Sequence, residues 1–137
     1  MRVLQLHCSS FSYKIREETP VAERPLRLRE EALEDVLVCF TCFEKKDEGK
    51  SQELVEAYSD NLLIDVKRIG CERVLIYPYA HLSQRLGSPR EARSLLEKLG
   101  ERLSDLGIEA HVSAFGWYKS FELSCIGHPL AEAYREY

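Results

Sequence analysis

The sequence predicts an α+β fold, a mixed β-sheet with helices packed on it, from three observations. Residues 35–43 and 73–79 are strongly apolar strand-like runs. Residues 51–70 and 89–106 carry helical apolar stripes. Residues 108–114 and 117–125 alternate apolar and polar side chains. The 137 residues suffice for one unit with a hydrophobic core and are too few for two of ordinary size, so residues 1–137 are expected to form a single domain.

Residues 3–7 and 11–16 read as two short strands joined by a polar turn at Cys8-Ser9-Ser10. Residues 17–29, charged and containing Pro20 and Pro25, read as an exposed connection, followed by a short helix around residues 28–33. The run 35–43 is a nearly unbroken apolar, β-branched and aromatic stretch, as in a strand covered on both faces, and residues 45–50 supply a turn. In the first long helix Leu54, Tyr58, Leu62, Val66 and Ile69 form one stripe, with Ser51 placed to cap it and Gly70 to end it. Residues 73–79 form the next strand, which leads into Ala80-His81. In the second helix Ser88 and Glu91 match a capping box, Pro89 takes the first helical position, and Gly107 closes it. Its stripe is Ala92, Leu95, Leu96, Leu99, Leu103 and Leu106. The two alternating strands that follow, separated by Phe115-Gly116, read as a terminal hairpin.

A net charge of −4 disfavours an autonomous nucleic-acid binder, so any nucleic-acid ligand would need other protein to supply most of its grip. The chain has no apolar run near the ~20 residues of a membrane span and no signal-peptide pattern, so the cytoplasm is expected and no membrane partner. Five cysteines without paired spacing argue against a disulfide framework. Cys39 and Cys42 are three apart in a strand and so point to opposite faces, which assigns them to packing rather than to a shared metal.

Lys119 is the most informative residue: it falls on the apolar face of its strand with Trp117, Phe121 and Leu123, where an ammonium is costly without a partner. Either it serves a site or it snorkels to solvent over its aromatic neighbours. His81 follows a buried strand end, a favoured place for active-site groups, although a lone histidine there is also common as a structural residue. His7, His111 and His128 have no metal-ligand spacing with a second ligand. The chain has no phosphate-binding glycine loop, nucleophile elbow or zinc-binding helix motif, so no metal and no cofactor are expected.

Three separated motifs, Tyr77-Pro78-Tyr79-Ala80-His81-Leu82-Ser83, Phe115-Gly116-Trp117-Tyr118-Lys119-Ser120-Phe121 and Cys125-Ile126-Gly127-His128-Pro129-Leu130-Ala131-Glu132, resemble the amino-terminal editing domain of archaeal threonyl-tRNA synthetases. The opening residues 3–7 and the segment 36–45 fit the same pattern. The sequence departs from it at Cys8-Ser9, where Ser-Asp is expected, and at Phe43, where a smaller aliphatic residue is common.

This resemblance implies a D-aminoacyl-tRNA deacylase-like fold, a homodimer, and hydrolysis of L-seryl-tRNA(Thr) at the tRNA 3′ end with L-threonyl-tRNA(Thr) rejected. It also implies cooperation with the remaining synthetase domains or with a separate catalytic chain. By the same resemblance Lys119, His81 and Glu132 match the family's pocket lysine, histidine and carboxylate; Lys119, held by Glu132, and His81 are then expected to be the catalytic pair, with their roles exchangeable. Tyr118, Glu132, Phe115 and Phe43 would line the substrate pocket, and Pro78 and Ala80 would present main-chain atoms. Two alternatives remain open: a D-aminoacyl-tRNA deacylase, and a non-catalytic tRNA-binding or dimerisation module.

Overall fold

The computed structural model describes residues 1–26 and 28–137. Its strands are β1 (Arg2–Glu18), β2 (Glu30–Cys42), β3 (Arg73–Pro78), β4 (Glu109–Val112), β5 (Trp117–Cys125) and β6 (Glu132–Glu136), and its helices α1 (Ser51–Ile69) and α2 (Pro89–Asp105). The sheet runs in the order β4-β3-β2-β1-β5, with β6 also paired to β1. β2, β3 and β4 are mutually parallel, with α1 and α2 as the crossovers between them, while β1 is antiparallel to its three partners. The architecture is thus the expected α+β mixed sheet.

Both helices pack on one face of this sheet. Leu54, Tyr58, Leu62 and Val66 of α1 and Leu95, Leu99 and Leu103 of α2 meet Val3, Leu37, Cys39, Val74 and Ile76 from the strands. Burying each such leucine stabilises the fold by about 1.5–3 kcal/mol. The opposite face carries Phe11, Tyr13, Val38, Phe40, Leu75 and Tyr77, a second and more aromatic cluster. Gly70 closes α1 in the left-handed conformation, as its position predicts. Ser88 caps α2 by accepting the Glu91 N–H, but the Glu91 carboxylate turns instead to the Gly49 N–H at 2.9 Å, so the capping box is only half formed.

Several local expectations are corrected. The polar triplet at Ser9 is not a turn: β1 runs through it, and a register shift between Cys8 and Ser10 marks a bulge in the pairing with β5. Below the bulge β1 pairs with β6, and above it with β5. The helix expected around residues 28–33 gives way to the start of β2, whose Glu30 to Leu33 pair with Lys14 to Phe11. Tertiary pairing there overrides a weak local preference. Arg27 lies outside the described residues. Ser51 makes no side-chain cap, since Lys50 is the N-cap.

The largest correction concerns the terminal hairpin, which does not form. β4 pairs in parallel with β3 at one edge of the sheet, and β5 pairs with β1 at the other. The residues joining them must therefore cross the end of the sheet. β6, which was not anticipated, pairs its Glu132 to Glu136 with Leu6 to Arg2.

Candidate functional site

The crossing segment forms one wall of a cavity of about 370 Å³ at the carboxyl ends of the parallel strands β2 and β3. This is the usual place for a ligand crevice in such sheets. Thr41, Cys42 and Phe43 enter from β2 and its end, Pro78 to His81 from the end of β3, and Phe115 to Lys119 from the crossing segment and the start of β5. The crossing is pinned by hydrogen bonds from the Thr19 N–H to the Gly116 carbonyl at 3.1 Å and from the Glu23 N–H to the Phe115 carbonyl at 3.0 Å. Gly116 has φ of 73°, and a Cβ there would lie 2.4 Å from the Val21 carbonyl oxygen, so only glycine fits this crossing.

Lys119 and His81 therefore border the same cavity. The Lys119 Nζ donates to the Ala114 carbonyl at 2.5 Å and stands 4.5 Å from the centroid of the Tyr77 ring. It does not snorkel outward. Burial pushes its pKa down to about 8, against the opposing pull of the Glu23 carboxylate. An ammonium has three donors, and the Ala114 carbonyl takes one of them, leaving charge and donors for a ligand. His81 sits on a short 3-10 turn, Ala80–Leu82, with its ring edge-on to Tyr79 at 5.2 Å. The Arg2 guanidinium fixes this turn by donating to the Leu82 carbonyl at 3.0 Å.

Of the other residues singled out in the sequence, Pro78, Ala80, Phe115, Tyr118 and Phe43 all line the cavity. The Ala80 carbonyl already accepts from the Ser83 N–H at 3.4 Å and the Cys42 thiol at 3.6 Å. Glu132 lies elsewhere: it is exposed on β6 opposite Leu6, is not among the cavity-lining residues, and does not hold Lys119, whose partner is the Ala114 main chain. Sequence reasoning missed Thr19, Val21, Thr41 and Gly87 as lining residues. Thr19 and Val21 carry no signal, being part of an apparently plain linker. Gly87 carries a faint one: a Cβ there would meet the Phe43 ring at 2.6 Å and the Glu44 carbonyl at 2.7 Å, so a close approach requires glycine.

A second polar cluster lies at the other end of the sheet, where His7, Asp35 and Cys71 bring potential ligand atoms within 4.8 Å of one another. Their separation along the chain hid this grouping. The hydrogen bonds argue against a metal. The Leu130 N–H donates to His128 Nδ1 at 3.1 Å, so a neutral His128 carries its proton on Nε2 and donates it to His7 Nδ1 at 2.7 Å. His7 is then protonated on Nε2, which donates to Asp35 Oδ1 at 2.8 Å, and the nitrogen a metal would need is occupied. This chain ties the β5–β6 connection to β1. Asp35 itself has φ of 46°, the one non-glycine residue with positive φ among those described. The five thiols are free, and burial pushes Cys39 up to about 12 and Cys8 and Cys42 up to about 11, which makes them poor nucleophiles.

Comparison with known proteins gives a coherent picture. The family model described as the archaea-specific editing domain of threonyl-tRNA synthetase matches residues 1–137. The chain is similar to the threonine–tRNA ligase of Thermofilum pendens, 42% identical over 98% of this chain and 22% of the relative. It is 38% identical to the threonine–tRNA ligase editing subunit of Saccharolobus solfataricus, over 98% of this chain and 34% of that one. The chain thus spans between about a fifth and a third of the length of these relatives. A solved structure titled c-Myc DNA unwinding element binding protein superposes with a TM-score of 0.72 over 100% of this chain and 99% of its own, at 11% identity, a likeness of fold alone. This chain shares the fold of that structure.

Proposed function

The chain belongs to the archaea-specific editing-domain family of threonyl-tRNA synthetase, and from that membership we propose that it is a proofreading hydrolase that deacylates L-seryl-tRNA(Thr) and spares L-threonyl-tRNA(Thr). The observation that carries this reading is the meeting of an ammonium, Lys119, and an imidazole, His81, at one small cavity with largely apolar and aromatic walls. An aminoacyl ester is already a labile acyl group. Its hydrolysis needs a placed water and stabilisation of the developing oxyanion more than a strong nucleophile.

In this reading the Lys119 ammonium, desolvated and anchored by the Ala114 carbonyl, supplies the positive charge near the ester. His81, on the rim, orients the terminal nucleotide, and a ribose hydroxyl of the substrate assists the water. Phe43, Phe115 and Tyr118 shape the walls, with Pro78 and Ala80 contributing main-chain atoms. A synthetic site distinguishes serine from threonine by one methyl group, worth only about 1–3 kcal/mol, whereas a second, tighter pocket can exclude the larger side chain. The expected partners are the 3′ end of tRNA(Thr), the rest of a synthetase in the same or a separate chain, and a second copy of this domain. Support for self-association comes from the open β5–β6 side, where Phe121, Leu123, Ile126 and Leu130 are exposed.

The direct test is the rate of serine release from mischarged tRNA(Thr), compared with threonine release and with a D-aminoacyl ester. Preferential L-serine release that falls in both Lys119→Ala and His81→Ala supports the assignment. Normal deacylation by both variants would overturn it.

A further inference from the structure

Beside the Lys119 cavity, and sharing His81 with it, lies an open cleft of about 810 Å³ lined by Arg2, Lys45, Lys46, Arg85 and the Ser83-Gln84 turn. Four cationic side chains and one carboxylate, Glu44, line it, on a chain whose net charge is −4. The concentration of positive charge next to the pocket runs against the composition of the whole molecule.

The cleft is a built surface. The Lys45 N–H donates to the Arg85 carbonyl at 2.9 Å and the Gly87 N–H to the Phe43 carbonyl at 3.2 Å, which zips the loop carrying Lys45 and Lys46 to the loop carrying Arg85. Buried Glu44 locks both loops. Its carboxylate accepts from the Ser83 hydroxyl at 2.7 Å and pairs with Arg2 at 3.1 Å. Arg2 is thereby committed to structure, whereas Lys45, Lys46 and Arg85 are exposed; the Lys46 Nζ donates to the Tyr137 carbonyl at 3.0 Å and stands 3.6 Å from the Glu44 carboxylate. Among the described residues Lys45 pairs only with Glu48, an exposed contact of small worth, and Arg85 has no ion pair. The groove on the other flank of the cavity is less cationic: it has two arginines, Arg90 and Arg93, and Arg93 is matched by Glu97 at 2.9 Å.

We propose that Lys45, Lys46 and Arg85 form the track for the backbone phosphates of a single-stranded polynucleotide end, whose terminal ester enters the Lys119 cavity past His81. The proposal deepens the editing reading and rests on it. It assigns a strand polarity to the surface: the last nucleotide lies at His81, and the preceding phosphates lie over Arg85 and Lys45. Three exposed cations give a modest, salt-sensitive grip, in keeping with an acidic domain that leaves most of the tRNA affinity to other protein.

The test compares two substrates. Lys45→Glu, Lys46→Glu and Arg85→Glu are combined in one variant, and kcat/KM is measured for seryl-tRNA(Thr) and for a seryl-adenosine ester that lacks preceding phosphates. The expected result is a loss on the tRNA about tenfold or more greater than the loss on the small ester, expressed in KM, with the slope of log kcat/KM against log salt reduced by ~2. Lys67→Glu with Arg68→Glu, at the exposed end of α1, serves as a charge-reversal control away from the cleft and should alter neither substrate. Equal losses on the two substrates, or none on the tRNA, would overturn the track. Were the wild-type chain to cleave neither ester, the editing reading itself would fail. Salt-dependent binding of a fluorescent CCA-ended RNA would then decide the cleft separately, its loss in the triple variant supporting the track and its persistence overturning it.

Discussion

The two faces of the sheet solve different problems. The helix-covered face is closed with aliphatic side chains: Leu62, Leu95, Leu99 and Leu103 are fully buried. Polar groups buried there include pairs that satisfy each other, such as Thr41 and Tyr58, whose hydroxyls lie 2.9 Å apart. The other face is built from aromatic rings, with Phe11, Phe40, Tyr77, Tyr79 and Phe121 packed edge to face or stacked. It stays partly open, and Lys119 lies over its Tyr77 ring. The difference teaches that stability and chemistry are divided between the faces: one holds its buried charges in ion pairs, Met1 with Asp47 and Arg135 with Asp65, whereas the other keeps a desolvated ammonium anchored on a main-chain carbonyl, at a cost to the fold.

The sharpest way to break this division is Lys119→Ala. Seryl ester hydrolysis should fall by about 10²–10³-fold, the usual effect of removing one oxyanion stabiliser. Thermal unfolding should show no loss of stability, because no buried ion pair is broken; a drop like that of a core mutation would instead make Lys119 structural. Leu99→Ala is the mirror experiment. Urea titration should show a loss of about 3 kcal/mol from the cavity left between α2 and the sheet, with the folded fraction keeping its kcat.

Gly87→Ala probes the seam between the two regions, since the new methyl would press on Phe43, which belongs both to the helix-side core and to the cavity wall. A stability loss of about 1–2 kcal/mol with a several-fold rise in KM is expected. An unchanged KM would mean that the Phe43 wall does not meet the substrate.

The smallest effect is in pH. Because the folded pKa of Lys119 is depressed to about 8, the folded chain releases a proton that the unfolded chain holds up to the ordinary lysine value of 10.5. Its contribution to stability therefore rises with pH across that window. Activity that needs the ammonium should fall as pH passes about 8, and a pH–rate profile of Lys119→Arg should lose this limb.

Much of the candidate site was legible because its residues disobey local rules. Lys119 interrupts an apolar face, and His81 follows a buried strand at a proline turn. Phe43, Phe115 and Tyr118 were found through resemblance, and all line the cavity. Glu132 was expected to hold Lys119 and lies on β6 instead. Thr19 and Val21 could not be found, since a linker residue becomes a wall residue only when another segment crosses over it. The His7, His128 and Asp35 chain was invisible for the same reason, its members being brought together by pairing across β1.

The sequence by itself determined the two amphipathic helices, the doubly covered β2 and β3 and the misplaced charge on β5, because periodicity and burial cost act within a few residues. Only the tertiary structure decided which strands are neighbours. β4 and β5 are separated by four residues yet occupy opposite edges of the sheet, because β4 completes a parallel crossover while β5 finds the free edge of β1. Strand pairing is a competition among all available edges, and its outcome here stretched residues 113–116 across the sheet end and so created the cavity.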